Sequence, residues 1–111
     1  MKSQADYSSF EALDIRIGKI LKVEDSLSKK PTYKITVDFG PEVGTKVSCG
    51  AYRNYSKDEL IGKYIVGVVN FAPKKMGPEV SEVLILGVAN ENHEVIYLTP
   101  QSGVALGEKV F

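Results

Sequence analysis

Side chains able to do acid–base or nucleophilic chemistry are sparse in this chain. The only histidine, His93, falls in the polar run Asn90-Glu91-Asn92-His93, which reads as an exposed turn. The only cysteine, Cys49, has Val47, Gly50 and Ala51 around it, surroundings that suit a buried, inert thiol better than a nucleophile. One histidine and one cysteine cannot supply the tetrahedral ligand set of a structural zinc site. Neither a G-x-S-x-G elbow nor a P-loop occurs. Carboxylates such as Asp38 and Glu82 could pair in space, but 14 acids in one chain make such a pairing uninformative. The residues imply a protein that is not an enzyme, with no metal and no cofactor.

The chemistry that is present is cationic and hydrogen-bonding. In the segment from Asn70 to Glu82, Pro73, Gly77 and Pro78 make an irregular but stiff loop that would lose little entropy on binding. Lys74 and Lys75 put adjacent cations on it, suited to phosphate, and Met76 adds an adaptable apolar contact. Asn70 and Ser81 offer hydrogen bonds at its two ends; Ser81 serves either a ligand or its own backbone. A second cationic spot is Lys29-Lys30-Pro31, followed by Tyr33 and Lys34. A third group, Tyr52, Arg53 and Tyr55, interleaves aromatic and cationic side chains, which can stack on bases or pack as core tyrosines with polar tips. The apolar side chains Tyr33, Phe71 and Met76 could instead line a groove for extended polypeptide.

These side chains need a scaffold, and 111 residues make one domain, 1–111, without a core large enough to hollow into a deep active site. At 43% hydrophobic and 25% charged residues the chain is globular. Its 14 Lys and Arg balance 14 Asp and Glu, so it is no bulk polyanion binder; contact with nucleic acid must come from local patches. A lone cysteine allows no internal disulfide and fits a reducing cytoplasm. The stretch from Met1 to Phe10 lacks the apolar run of a secretory signal, and the longest apolar stretch, Ile65 to Val69, is far too short to span a bilayer.

Alternation with period two dominates the rest. Tyr33, Ile35, Val37 and Phe39 share one face of a strand over Pro31 to Phe39, so Tyr33 has the parity of a core residue. Ile15, Ile17, Leu21 and Val23 keep one parity across Asp14 to Glu24, with Lys19 the exception and Gly18 marking a bulge or bend. Glu42-Val43-Gly44 reads as a turn into a third strand, Thr45 to Ala51. Ile65 to Phe71 suits a strand covered on both faces, and Glu82 to Val88 and Val95 to Leu98 are further strands. Capping-box spacing marks two short helices, Ser8 to Glu11 and Ser56 to Glu59, the latter ended by Gly62. Five or more short strands with a helix between the third and fourth predict an all-β OB-fold, a five-stranded Greek-key barrel.

The chain also resembles the CsaA-type proteins of the tRNA-binding-domain family, relatives of the module appended to methionyl-tRNA synthetases. The resemblance lies in Phe10-Glu11-Ala12-Leu13-Asp14-Ile15-Arg16-Ile17-Gly18-Lys19-Ile20, Lys30-Pro31-Thr32-Tyr33-Lys34, Val37-Asp38-Phe39-Gly40, Glu59-Leu60-Ile61-Gly62, Val68-Val69-Asn70-Phe71 and Ser81-Glu82-Val83-Leu84-Ile85-Leu86-Gly87, which follow in the family's order. It implies an OB-fold, a homodimer, tRNA binding by shape, and a chaperone role towards unfolded secretory polypeptides linked to protein export. Family binding positions fall on Asn70, Pro73, Lys74, Lys75, Met76 and Ser81. The chain departs from the pattern at Ala72, where a second proline is common, at Lys74, where arginine is common, at Glu79-Val80 and at Cys49. Lysine keeps the charge but loses bidentate phosphate geometry, and Glu79 would set an anion beside the loop. The short helix near Phe10 and Leu13 has too few apolar residues to be stable alone, which predicts that it packs near a partner subunit, with Val104 to Phe111 close by.

Overall fold

The computed structural model describes residues 1–27 and 31–111. Lys29 and Lys30, part of the second cationic spot, lie outside the described residues.

β1 (Ile15–Asp25), β2 (Tyr33–Asp38) and β3 (Thr45–Gly50) form an antiparallel meander. β4 (Tyr64–Val68) returns to the other side of β1, with Ile15 opposite Val68, and β7 (Leu84–Ile85) pairs with β4. The resulting order β3-β2-β1-β4-β7 places the fourth strand beside the first, as a Greek key does. The sheet curls until β7 approaches β3, making a nearly closed, OB-like barrel.

β1 carries the main departure from the alternation read in the sequence. Gly18 and Ile20, not Ile15 and Ile17, face the core cluster; the register then slips between Ile20 and Lys22, and Val23 turns inward. One extra residue at a bulge reverses the parity of everything beyond it. Leu21 is that residue, and it stands 48% exposed. Ile15 and Ile17 are buried on the outer face, which explains why Lys19 broke the pattern. Gly18 has a different task from the bend expected of it. A Cβ there would stand 2.5 Å from Val37 Cγ1 and 2.7 Å from the Phe39 ring. Phe39, fully buried, fills that space and also lies over Gly67, where a Cβ would come within 3.0 Å of its Cζ.

The helix between β3 and β4, α3 (Lys57–Leu60), has its full capping box: Ser56 Oγ accepts from Glu59 N at 3.2 Å and Glu59 Oε1 accepts from Ser56 N at 2.8 Å. Those bonds hold the Glu59 carboxyl below the usual carboxylate range. The other box does not form. α1 (Tyr7–Glu11) is capped two residues earlier than Ser8, at Asp6, because Asp6 O takes the first helical bond from Ser9 N and draws Ser8 into the turn. The turn at Glu42-Val43-Gly44 is a one-turn helix, α2 (Gly40–Val43), ended by Gly44 at φ 82. β4 stops at Val68 and keeps two half-exposed residues, since Val69 N leaves the sheet for Asp14 O. The stretch Glu82 to Val88 divides: Leu86 N still bonds Val66 O, while β8 (Gly87–Ala89) peels away to pair with β9 (Val95–Tyr97).

The C-terminal segment fills the stretch of β1 that β2 leaves unpaired. Ile17 N donates to Glu108 O at 3.0 Å, Gly107 N to Ile17 O at 2.8 Å and Val110 N to Ile15 O at 2.9 Å. Arg16, only 4% exposed, fastens this strap: it bonds Gly107 O and pairs with Asp14 and Glu42. The two carboxylates hold its guanidinium charged, and it in turn keeps Glu42 ionised below the usual range. No helix among the described residues is long and apolar enough to cross a membrane.

Gly18→Ala forces a methyl into the space of Val37 and Phe39. Urea unfolding should show a loss of about 1–3 kcal/mol, the cost of overpacking a core. Combining it with Phe39→Leu, which shortens the intruding ring, should cost less than the sum of the single changes.

Candidate nucleic-acid interface

The loop from Asn70 to Glu82 is more ordered than its prolines imply. β5 (Lys74–Met76) and β6 (Glu79–Ser81) form a hairpin, with Gly77 at φ 64 and Pro78 as its two turn residues. A positive φ at the first turn residue is what a two-residue hairpin loop with strand-matching twist requires. The register pairs Lys74 with Ser81, Lys75 with Val80 and Met76 with Glu79. Side chains alternate along a strand, so Lys74, Met76, Ser81 and Glu79 share one face while Lys75 and Val80 take the other. The two adjacent lysines therefore serve different surfaces.

The first face meets β3. Ser81 Oγ accepts from Cys49 N at 3.1 Å and donates to Val83 O at 3.3 Å. One residue on, Glu82 N donates to Val47 O at 2.7 Å and Glu82 Oε1 accepts from Val47 N at 3.0 Å. Between hairpin and barrel lies a cavity of about 410 Å³. Phe71, Met76, Val83 and Leu84 give it apolar walls, Ser48 and Cys49 lie along β3, and Lys74 and Glu82 bring opposite charges. Cys49 is buried, and burial pushes its thiol up, reinforced by the nearby Glu79 carboxylate. At neutral pH it is a thiol wall rather than a nucleophile.

Of the residues singled out in the sequence, the fold brings Lys74, Met76, Ser81 and Phe71 around this cavity. Pro73 is exposed just ahead of β5 and Lys75 is exposed on the hairpin's opposite face; neither lines the cavity. Asn70 is a clamp: its Oδ1 accepts from Asp14 N and its Nδ2 donates to Ala12 O, both at 2.8 Å. Arg53 stands 4.9 Å over the Tyr33 ring and pairs with Asp25 at 2.8 Å, apart from the cavity. Tyr33 is a core residue whose hydroxyl donates to Tyr55 O at 2.8 Å, so it does not join Phe71 and Met76 in one groove. Tyr52 is buried too, its hydroxyl donating to Ile85 O and pushed up to about 12 by burial. Glu79 is buried with Lys34 Nζ at 3.7 Å, so its charge is offset rather than turned on a ligand.

Sequence reading missed Glu82 and Leu84 as cavity residues. The signal lay in Gly77-Pro78 between two three-residue runs: a hairpin there turns alternate residues to one face and sets the following strand against β3.

The fold defines an OB-like barrel with a cavity walled on one side by a lysine-bearing hairpin. Residues 15–109 match the family model described as "Putative tRNA binding domain". The chain is 38% identical over 104 residues to a methionine–tRNA ligase of Pyrococcus horikoshii and 39% identical over 104 residues to that of Nanoarchaeum equitans. In each case 94% of this chain is covered, but only 14% and 13% of the relative, so the chain spans about one seventh of these enzymes. Among solved structures, a CsaA chaperone protein of Picrophilus torridus superposes with a TM-score of 0.92 at 42% identity, covering 97% of this chain and all (100%) of the other. The chaperone CsaA of Bacillus anthracis does so with 0.88 at 36% identity, covering 98% and 100%. The chain belongs to the tRNA-binding-domain family.

Ser81→Ala would leave the buried Cys49 N–H without its acceptor. Unfolding measurements should show a loss of about 1–3 kcal/mol, the cost of an unsatisfied buried donor. A serine used only for ligand contact would leave stability unchanged.

Proposed function

We propose that this chain is a non-catalytic domain that binds tRNA in the cytoplasm, through phosphate contacts at the hairpin rather than by reading bases along its length. The observation that supports this best is Lys74: an exposed cation at the rim of the cavity, on a hairpin locked to the barrel by Ser81 and Glu82. A rigid cationic element loses little entropy on meeting a phosphate backbone. Membership of the tRNA-binding-domain family and the methionine–tRNA ligase relatives favour the same ligand.

The domain works as a homodimer in this reading. α1 buries none of its residues, and Tyr7, Phe10, Leu13 and Val110 line a hollow beside the C-terminal strap, with Glu11, Asp14 and Lys109 as its charged members. A second copy would cover that face, and two weak RNA patches joined this way gain from effective concentration.

The second reading is a chaperone, export-related in the manner implied by CsaA. It draws on the exposed apolar residues Phe71 and Leu84 at the cavity, which could hold an apolar side chain of an unfolded polypeptide, and on the chaperone neighbours. Salt separates the two: phosphate binding weakens steeply with salt, and apolar burial does not.

Measured at two salt concentrations, Lys74→Ala should weaken binding to all tRNAs alike and flatten the log–log salt slope by about 0.7–0.9. Lys75→Ala, on the hairpin's other face, should do less. A folded Lys74→Ala protein with unchanged affinity and slope would remove the hairpin face from the RNA site and leave the polypeptide reading ahead.

A further inference from the structure

Glu82 gives the cavity a polarity that phosphate contact alone does not call for. The residue is fixed at two points to Val47, through its own N–H and through Oε1. Among the described residues no donor meets Oε2, which leaves Glu82 an unmet acceptor at a cavity walled mainly by Phe71, Met76, Val83 and Leu84, with Ser48, Ser81 and Lys74 as its other polar side chains. A carboxylate is a poor wall for a purely apolar guest, because filling the cavity with hydrocarbon would strip water from a charge and return no hydrogen bond. It is also a poor neighbour for a polyanion, unless the part of the polyanion that enters is uncharged and carries donors. Lys74 at the rim supplies the complementary cation for whatever charge stays outside.

An unpaired nucleotide meets all three conditions. Its base offers a flat face to Phe71 and Met76, its edge offers hydrogen-bond donors, and its phosphate remains at the mouth with Lys74. The cavity, at about 410 Å³, is roomy enough for one base. A tyrosine or tryptophan side chain offers a flat face and one donor but brings no anion to Lys74.

Resting on the tRNA-binding reading above, we propose that this cavity takes a single unpaired RNA base bearing an exocyclic amine, with Glu82 Oε2 as its acceptor, and that it rejects uracil. Adenine, cytosine and guanine each present an amino group to a carboxylate, the pairing that acidic side chains make with cytosine N4. Uracil has no amino group; its one N–H is flanked by two carbonyl oxygens that a carboxylate repels. The hairpin face would thus add a base preference to contacts otherwise blind to sequence.

The test uses fluorescence anisotropy with labelled oligocytidylate and oligouridylate of equal length, alongside tRNA. The wild-type chain should bind oligocytidylate roughly tenfold more tightly than oligouridylate, in line with one good base contact. Glu82→Gln keeps an oxygen for Val47 N and turns an NH2 into the cavity, so the preference should vanish or invert. Lys74→Gln should weaken both oligonucleotides equally and leave their ratio alone. Equal binding of the two by wild-type protein overturns the proposal, as does a folded Glu82→Gln protein with the wild-type ratio. Binding of tRNA that neither oligonucleotide competes for also overturns it, leaving phosphate contact alone. Failure to bind tRNA at all strikes the underlying reading instead. Should Glu82→Gln fail to fold by circular dichroism, the wild-type ratio decides.

Discussion

Among the described residues no strand pairs with the outer edge of β3. Its N–H groups at Val47 and Cys49 are taken by two side chains, Glu82 Oε1 and Ser81 Oγ. A barrel of five strands must either close or leave an edge with unmet donors and acceptors. Here β7 pairs with β4 over only two residues and cannot reach along β3, so the residues just before it do the closing. Everything of functional interest follows from that substitution. The side chains that close the barrel hold the β5–β6 hairpin against β3, and the space a full strand ladder would have filled remains as the cavity.

The opposite side of β1 shows the same economy of backbone groups. Where β2 departs at Phe39, the C-terminal strap takes over the bonding of Ile15 and Ile17, and the buried Arg16 ties strap, α2 and β1 entry together. Gly107 makes this possible at close range, at φ 86 and with no room for a Cβ against Phe39 O, 2.6 Å away. Asn70 repeats the device just beyond the same end of β4, holding Ala12 and Asp14 with one amide. The two anchors leave α1, which buries none of its residues, on the surface beside the strap.

The sequence made the barrel legible because the burial of β2 follows plain alternation and because α3 carries its own capping signal. It hid the phase of β1. Ile15, Ile17 and Val23 share a parity in the chain, yet a bulge at Leu21 puts the first two and the third on different faces, and nothing local to Leu21 marks it. Gly18 drew the bulge assignment, although its role is to make room for Phe39, a contact 21 positions away in the chain by their numbers. The site was half legible. Lys74, Met76 and Ser81 meet around one cavity, but adjacency in the sequence is not adjacency in space. Hairpin alternation separates Lys74 from Lys75, and long-range hydrogen bonds turn Asn70 and Ser81 into clamps. Such bonds depend on tertiary register, which the pattern of a short loop does not contain.

The central claim is that RNA meets this molecule at the face where side chains close the barrel. Backbone amide chemical-shift mapping during a titration with tRNA tests it most directly, since every amide from β3 through the hairpin to β7 is a separate reporter. The largest changes should fall on Val47 to Cys49, on Lys74 to Ser81 and on Glu82 to Leu84. Changes confined to α1 or the C-terminal strap would contradict the account.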